Sequence, residues 1–579
     1  MQALFSAFST ALPPPRIQGK TPAPAASAPL ASCLGVGIMR RDPLTLPGFM
    51  RLSRRSFTHA FGLFAAGSPA ALAQSPPAVQ AQTSSQPSAA PAQQPRFTHD
   101  DVIRQARELA GRPYDAAVPP LPEALAKLDF DSWREIRFRP ERSLINGGSK
   151  FRMQMFHLGF LYQRPVTVNL VRDGIAAPIP YSNALFDYGR NRFERPLPVN
   201  LGFAGFRLHY PLNQPKVYDE LIAFLGASYF RFLGRGQKYG ISARGLSIGA
   251  GGGDPEEFPF FREFWVEQPQ PEQDNIVVHA LLDSESTSGA YRFAIFPGVD
   301  SVIDVGVTLF PRKAIQRLGV SPLTSMFFTG ENDRRYFDDY RPELHDSDGL
   351  LMHTGAGEWL WRPLRNPKQS AVSSFMDANP RGFGLMQRDR TFEHYQDLDL
   401  GYELRPSYWV EPRGDWGDGR LDLVENPTSD ETNDNIVAAW TPKAAPDAGQ
   451  TVSLGYRITS LLDSNRLHPG GKAVNSWQTS ARALGSSEKL APGTRRFIID
   501  FAGGDLAYYQ SDPGQIEIVP TISNGRVLRT FLVPNVQTEG FRAGIDIEAP
   551  IGQLVDLRAF LRSGQRALTE TWTFPWRSE

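Results

Sequence analysis

Between about residues 340 and 440 the chain gathers side chains that suit carbohydrate chemistry. They are Tyr340, Arg341-Pro342-Glu343-Leu344-His345-Asp346, Trp359, Trp361, Tyr402, Arg405-Pro406-Ser407-Tyr408-Trp409, Trp416, Asp430-Glu431-Thr432-Asn433-Asp434-Asn435 and Trp440. Aromatic faces stack on the C–H surfaces of sugars, and Arg and Asn bond hydroxyls. Two carboxylates can act as acid and base on a glycosidic bond. Each residue alone has a plainer reading, since Trp and Tyr are usually core and an Asp in a turn usually caps it.

Other sites are weaker. Gly245-Leu246-Ser247-Ile248-Gly249 has the spacing of a nucleophile elbow, but such an elbow needs a helix directly after it. Gly251-Gly252-Gly253-Asp254-Pro255 follows instead and opposes a helix start, so a strand running into a loop is expected. The same glycines lack the Lys-Ser or Lys-Thr of a phosphate loop. His209, His345, His353 and His394 are scattered without metal-ligand spacing. Asp346-Ser347-Asp348-Gly349 and Asp430 to Asn435 are only fragments of a calcium loop, so no metal site is expected.

The elements that must hold these groups read mostly as strands. Tyr291 to Ile295 and Ile303 to Leu309 alternate apolar with polar residues, and turns rich in Gly, Pro, Asn and Asp recur at short intervals. This predicts an all-β protein with a large antiparallel sandwich. Thr98-His99-Asp100-Asp101 predicts a short helix ending near Gly111, and Val217 to Leu225 has a helical pattern. The polar run from Asp463 to Gly471 reads as the start of a connector. Beyond it, Asn524-Gly525 between two apolar runs predicts a hairpin in a small immunoglobulin-like sandwich.

Composition and the N-terminus set the compartment. Ser53-Arg54-Arg55-Ser56-Phe57, an apolar run from Ala60 to Leu72 and Ala71-Leu72-Ala73 have the order of a twin-arginine export signal cut after Ala73. The run is about thirteen residues, short of the roughly 20 that span a bilayer, so no stable membrane anchor is expected. About fifty residues precede the signal, which makes Met50 a candidate start and residues 1 to 49 either an unstructured extension or a misplaced start. Cys33, the only cysteine, lies before the cut, which excludes disulfides and thiolate sites from the mature chain. With 61 basic and 61 acidic residues and no basic tract after the signal, no nucleic-acid partner is expected. The expected divisions are an extension and signal over 1–73, a flexible linker over 74–96, a large sandwich over 97–463, a connector over 464–487 and an immunoglobulin-like domain over 488–579.

Leu201-Gly202-Phe203-Ala204-Gly205-Phe206, Leu225-Gly226-Ala227-Ser228-Tyr229-Phe230, Tyr239-Gly240-Ile241-Ser242-Ala243-Arg244-Gly245, Arg341 to Asp346 and Asp430 to Asn435 together resemble the glucans biosynthesis proteins G and D of osmoregulated periplasmic glucan synthesis. The resemblance runs from Phe97 to Trp576, and the twin-arginine pair favours the D branch. It implies a galactose-mutarotase-like sandwich followed by an immunoglobulin-like one, in the periplasm. It also implies action on a β-1,2-glucan backbone, by similarity to inverting endo-β-1,2-glucanases, with Asp434 as general acid and Asp346 as general base. From the aromatic and arginine pattern itself, Trp359, Trp361, Tyr402, Arg405, Trp409 and Trp440 are the expected substrate-binding residues. No cofactor is implied; other glucan-synthesis proteins are candidate partners, and oligomeric state stays open.

An inverting pair is expected about 6.5 to 9.5 Å apart, or further where a relay carries the proton. Asp434 must hold its proton near neutrality, so it should be less solvated than Asp346 or face more negative charge, for which Asp430 and Glu431 are candidates. A transglycosylase acting through the same carboxylates and a non-catalytic glucan-binding assembly factor are the rival readings.

Overall fold

The computed structural model describes residues 96–578 except 146–147, 483–484 and 488. The export signal, Cys33, Met50 and the linker up to residue 95 lie outside the described residues. Among the described residues, no helix is long and apolar enough to cross a membrane.

The alternating runs become paired strands. Thr287–Phe296 and Val302–Pro311 form an antiparallel pair with Thr287 opposite Pro311 and Phe296 opposite Val302. Ile303, Val305, Val307 and Leu309 are buried, while Asp304, Gly306 and Thr308 are half-buried on the other face. A ten-stranded and a fifteen-stranded sheet stack as a sandwich. Phe206, Phe224 and Phe230 of the first meet Phe264 and Phe293 of the second, with ring centroids 5.1 to 5.4 Å apart. Such edge-on and tilted contacts add specific geometry to the burial that drives sheet stacking.

The N-terminal helix His99–Ala110 forms as expected. The Thr98 N–H donates to Asp101 Oδ2 at 2.8 Å, and Gly111 caps the end. Val102 and Ala106 bury against Trp265, Leu281 and Phe310 on the outer face of the fifteen-stranded sheet. Leu246–Ile248 is a strand, paired with Leu318–Val320 and followed by a turn. Ser247 is buried there beneath Gly319, where an added Cβ would sit 2.1 Å from its Oγ.

Three expectations are corrected. The helical pattern near Val217 to Leu225 is instead the strand Asp219–Leu225, in which Leu221, Ile222, Phe224 and Leu225 are all buried. A strand covered on both faces loses its two-residue period. The expected connector 464–487 carries the strand Lys472–Thr479, paired with Thr494–Ala502. Its period is hidden because Lys472 and Ser476 are polar yet buried. Asn524-Gly525 does turn the chain, with Gly525 at φ 95°, but its flanks do not pair. Glu517–Ile522 pairs with Leu554–Ser563 and Arg526–Asn535 with Gly540–Glu548, so the turn crosses from one sheet to another.

The C-terminal part sets a four-stranded sheet against strands that extend the fifteen-stranded one. The junction is a short parallel pairing of Leu360 with Thr571 and Trp361 with Trp572. A second core there joins Phe497, Phe501, Ile545, Leu561 and Trp572 to Leu351, Trp361 and Trp409 of the large sandwich.

Candidate active site

The segment Asp430 to Asn435 joins the strands Asp418–Glu425 and Ile436–Pro442, and its residues divide the work of holding one carboxyl in place. Asp430 Oδ1 accepts from the Thr432 N–H at 2.8 Å, closing the turn. Asn435 pins the far end, accepting from the Phe327 N–H at 2.8 Å and donating to the Phe327 carbonyl at 3.0 Å. Glu431 takes the Arg341 guanidinium at 2.9 and 3.1 Å. That leaves Asp434, which is 6% exposed and has Arg231 Nη2 4.0 Å from its Oδ2. Burial pushes its pKa up to about 6; Arg231, Arg244 and Arg405 oppose this, and the charge of Asp346 adds to it. The expected field from Asp430 and Glu431 gives way to burial and Asp346, because those two acids are engaged with Thr432 and Arg341.

Asp346 follows a segment that is locked along its length. Arg341 bonds Asp339, Asp397 and Glu431 at 2.7 to 2.9 Å, which ties three loops together. His345, fully buried, lies between Glu343 at 3.0 Å and Gln387 at 2.8 Å. The Asp346 N–H donates to the Met326 carbonyl at 2.8 Å. Its Oδ1 accepts from Arg405, while its Oδ2 is buried with no hydrogen-bond partner among the described residues. An unengaged carboxylate lone pair is what a general base requires.

Arg405 in turn lies 3.7 Å over the Tyr402 ring, and the Tyr402 hydroxyl donates to Glu431. The Arg405 stem crosses Gly240, where an added Cβ would meet it at 2.8 to 3.1 Å. The glycine of the Tyr239 to Gly245 segment is therefore required by a close approach rather than by its backbone angles.

Sheet register brings the remaining groups in. Tyr229 stands opposite Arg244, and Thr324 opposite both Ser242 and Val437. Arg231 Nε donates to Ser242 Oγ at 2.8 Å and Arg244 Nε to Thr324 Oγ1 at 2.8 Å. Three buried arginines and two buried aspartates thus share one centre, in which low polarity magnifies every charge difference.

The structure brings Asp434, Asp346, Tyr402 and Arg405 together. It places the other expected residues elsewhere. Trp440 is 1% exposed in the main core, beside Trp416. Trp361 lies under Arg388 at 3.5 Å, and Trp409 stacks on Trp359 at 5.7 Å, all three packed in the second core near the C-terminal strands. Arg231, Arg244, Tyr162 and Tyr229 carry no chemical spacing that marks them. Arg231, two residues beyond Tyr229, and Arg244 fall in or beside the segments that carry the family resemblance. Among the described residues, Glu343, Asp389 and His394 form one group with ligand atoms within 4.8 Å of one another. Glu343 already bonds His345, and Asp389 bonds His394.

Comparison with known proteins adds a family. Residues 97–576 match the model of the periplasmic glucan biosynthesis protein MdoG. The chain is 47% identical over 480 residues to glucans biosynthesis protein D of Xanthomonas campestris pv. campestris, covering 82% of this chain and 89% of that protein. It is 44% identical over 486 residues to glucans biosynthesis protein G of Ralstonia nicotianae, covering 83% and 95%. A protein G of Rhodopseudomonas palustris is 46% identical over 486 residues, covering 84% and 94%.

Proposed function

Because the chain belongs to the periplasmic glucan biosynthesis protein family, we propose that within this biosynthesis it cleaves a β-1,2-linked glucan backbone internally, with inversion. The observation that carries this reading is the unequal treatment of two buried aspartates. Burial holds the Asp434 carboxyl toward its protonated form, while Asp346 is charge-paired with Arg405 and keeps a free lone pair. Environments that separate a pair of carboxyls in this way assign acid and base.

In the reaction, Asp434 gives its proton to the glycosidic oxygen as the bond from that oxygen to the anomeric carbon breaks. Asp346 takes a proton from the water that attacks the same carbon from the opposite face, directly or through intervening hydroxyls. One new reducing end forms, and the proton gained by Asp346 returns to Asp434 through solvent between turnovers. Tyr402 and Glu431 border Arg405, and their hydrogen bond keeps the guanidinium facing Asp346.

The test is incubation of the purified mature protein with linear β-1,2-glucan, following reducing ends and product masses beside Asp434→Asn. The parent is expected to create reducing ends, and the variant to lose about 10²- to 10⁴-fold in turnover while still binding glucan. Full turnover in the pure variant would overturn the assignment of the acid. Cyclic or rearranged products without new reducing ends would identify a transglycosylase instead. Binding without any change in chain length would leave an assembly factor.

A further inference from the structure

A pocket of about 520 Å³ opens where the strand pair Arg137–Phe138 and Phe186–Asp187 runs into the loop that follows it. Its walls include Arg139, Asp187, Tyr188, Arg192, Phe193 and Arg195. Asp434, Asp346 and the arginines around them are absent from its lining.

Three guanidinium groups converge here against a single carboxylate. That carboxylate is already engaged: Asp187 Oδ1 accepts from the Gly189 N–H at 3.1 Å, and Arg137 stands opposite Asp187 in the strand pair. Arg139 meets Glu141 only at 4.0 Å and otherwise donates to the Phe186 carbonyl at 3.1 Å. Among the described residues, Arg192 donates to the carbonyls of Gly189 and Asn191 at 2.9 and 2.8 Å, and Arg195 makes no ion pair.

The neighbouring arginine is treated differently. Arg190, in the same loop, is paired with Glu135, whose Oε2 also accepts from the Arg190 N–H at 3.0 Å, and it does not line the pocket. The loop is pinned between these arginines, because Asn191 Nδ2 donates to the Ser132 and Tyr188 carbonyls at 2.8 and 3.0 Å. Like charges held at fixed positions repel one another unless an anion lies between them.

The lining also selects the ligand. Guanidinium forks match the geometry of phosphate and bond it with paired, charge-assisted hydrogen bonds. The volume exceeds what one inorganic anion fills and is in the range of sites for small organic molecules. Tyr188 and Phe193, edge to face at 5.6 Å, supply an aromatic wall beside the cations.

We infer that this pocket binds a phosphate group carried on a small organic body, with Arg139, Arg192 and Arg195 around the anion and Phe193 against the body. The carrier is a soluble phosphate ester or the headgroup of a lipid, since both present the same group to the arginines. The inference holds whether or not the protein cleaves glucan.

The test is calorimetric titration of the purified mature protein with inorganic phosphate and with glucose 6-phosphate, beside sedimentation with phosphatidylglycerol and phosphatidylcholine vesicles. Glucose 6-phosphate is expected to bind saturably and more tightly than inorganic phosphate. Arg192 and Arg195 are exposed, so their replacement leaves the fold intact. Arg192→Gln and Arg195→Gln should each lower the affinity about ten-fold, the loss of one charge-assisted bond. Arg190→Gln removes the same charge from the same loop and should change it less than about two-fold. Phe193→Ala should weaken glucose 6-phosphate and spare inorganic phosphate. Retention by phosphatidylglycerol vesicles alone, lost in Arg192→Gln and Arg195→Gln but kept in Arg190→Gln, would assign the phosphate to a lipid. Glucose 6-phosphate held no more tightly than inorganic phosphate would overturn the organic body. Failure of every probe to bind, or affinities that Arg192→Gln and Arg195→Gln change no more than Arg190→Gln does, would overturn the site itself.

Discussion

A buried carboxyl held near neutrality is a functional asset and a structural cost, and Asp434 makes both measurable. With its pKa at about 6 against an ordinary 3.8, the folded protein binds a proton here more tightly than the unfolded chain. Stability from this group is therefore fully present below about pH 4 and is lost as pH rises to about 6. The loss amounts to about 3 kcal/mol at most. On the proposed mechanism turnover uses the same proton, so the kcat profile is expected to fall above about pH 6. Asp434→Asn mimics the neutral form, so at pH 8 it should equal or exceed the parent by on the order of 1–3 kcal/mol. At pH 4 the two should coincide. Urea unfolding at both pH values checks this, and a variant that is weaker at pH 8 would show that the carboxyl is not strained. The two aspartates were legible because they stand in long motifs. The arginines and tyrosines around them were not, since their role comes from strand register rather than from spacing. Trp361, Trp409 and Trp440 are buried in the cores, because a residue type suited to sugars is equally suited to a core.

Strands with one covered face announced themselves by alternation, as in Val302–Pro311, whereas Asp219–Leu225 and Lys472–Thr479 did not, because tertiary burial reached both faces or covered polar positions. The joint between the large sandwich and the C-terminal strands depends on pairings distant in sequence, which no local pattern records. Its polar centre is the pair Arg388 and Glu570, bonded twice at 2.6 and 2.9 Å. Glu570 also accepts from the Ala473 N–H at 2.9 Å, and Arg388 covers the Trp361 ring. One ion pair thus fixes Thr571–Arg577, Lys472–Thr479 and Trp359–Pro363 relative to one another. Glu570→Ala would leave a buried, uncompensated guanidinium, at a cost of about 3–5 kcal/mol. A thermal melt should fall by several degrees; a shift within error would mean that solvent reaches Arg388 readily.

Across the whole molecule, the loop that carries Asp346 is braced from behind by a cluster of titratable groups reaching to the C-terminal sheet. Glu331, half-buried, accepts from the Ser476 N–H at 3.2 Å, and the Gln478 amide donates to the Asn332 carbonyl at 3.3 Å. Burial pushes Glu331 up to about 8, the charges of Glu343 and Asp348 push the same way, and the Ser476 N–H and His345 oppose them. Burial alone would lower His345, yet Glu343, Asp348 and Gln387 hold it at about 9. Both groups keep a proton in the folded state that the unfolded chain would release. For Glu331 the stabilisation is full below about pH 4.5 and lost toward 8; for His345 it is full below about 6.5 and lost toward 9. The two losses have the same sign and overlap between about pH 6.5 and 8, so the melting temperature should decline steadily there. The decline falls on the contacts between the Asp346 loop and the C-terminal sheet. Glu331→Gln keeps an acceptor for Ser476 and removes one titration, so its melting temperature should fall less steeply from pH 6 to 8, while the His345 contribution persists. Melting curves that run parallel for parent and variant over that range would place the pH sensitivity outside this cluster. A flatter curve would mean that the proton held by Glu331 contributes to the pH dependence of the fold through this cluster.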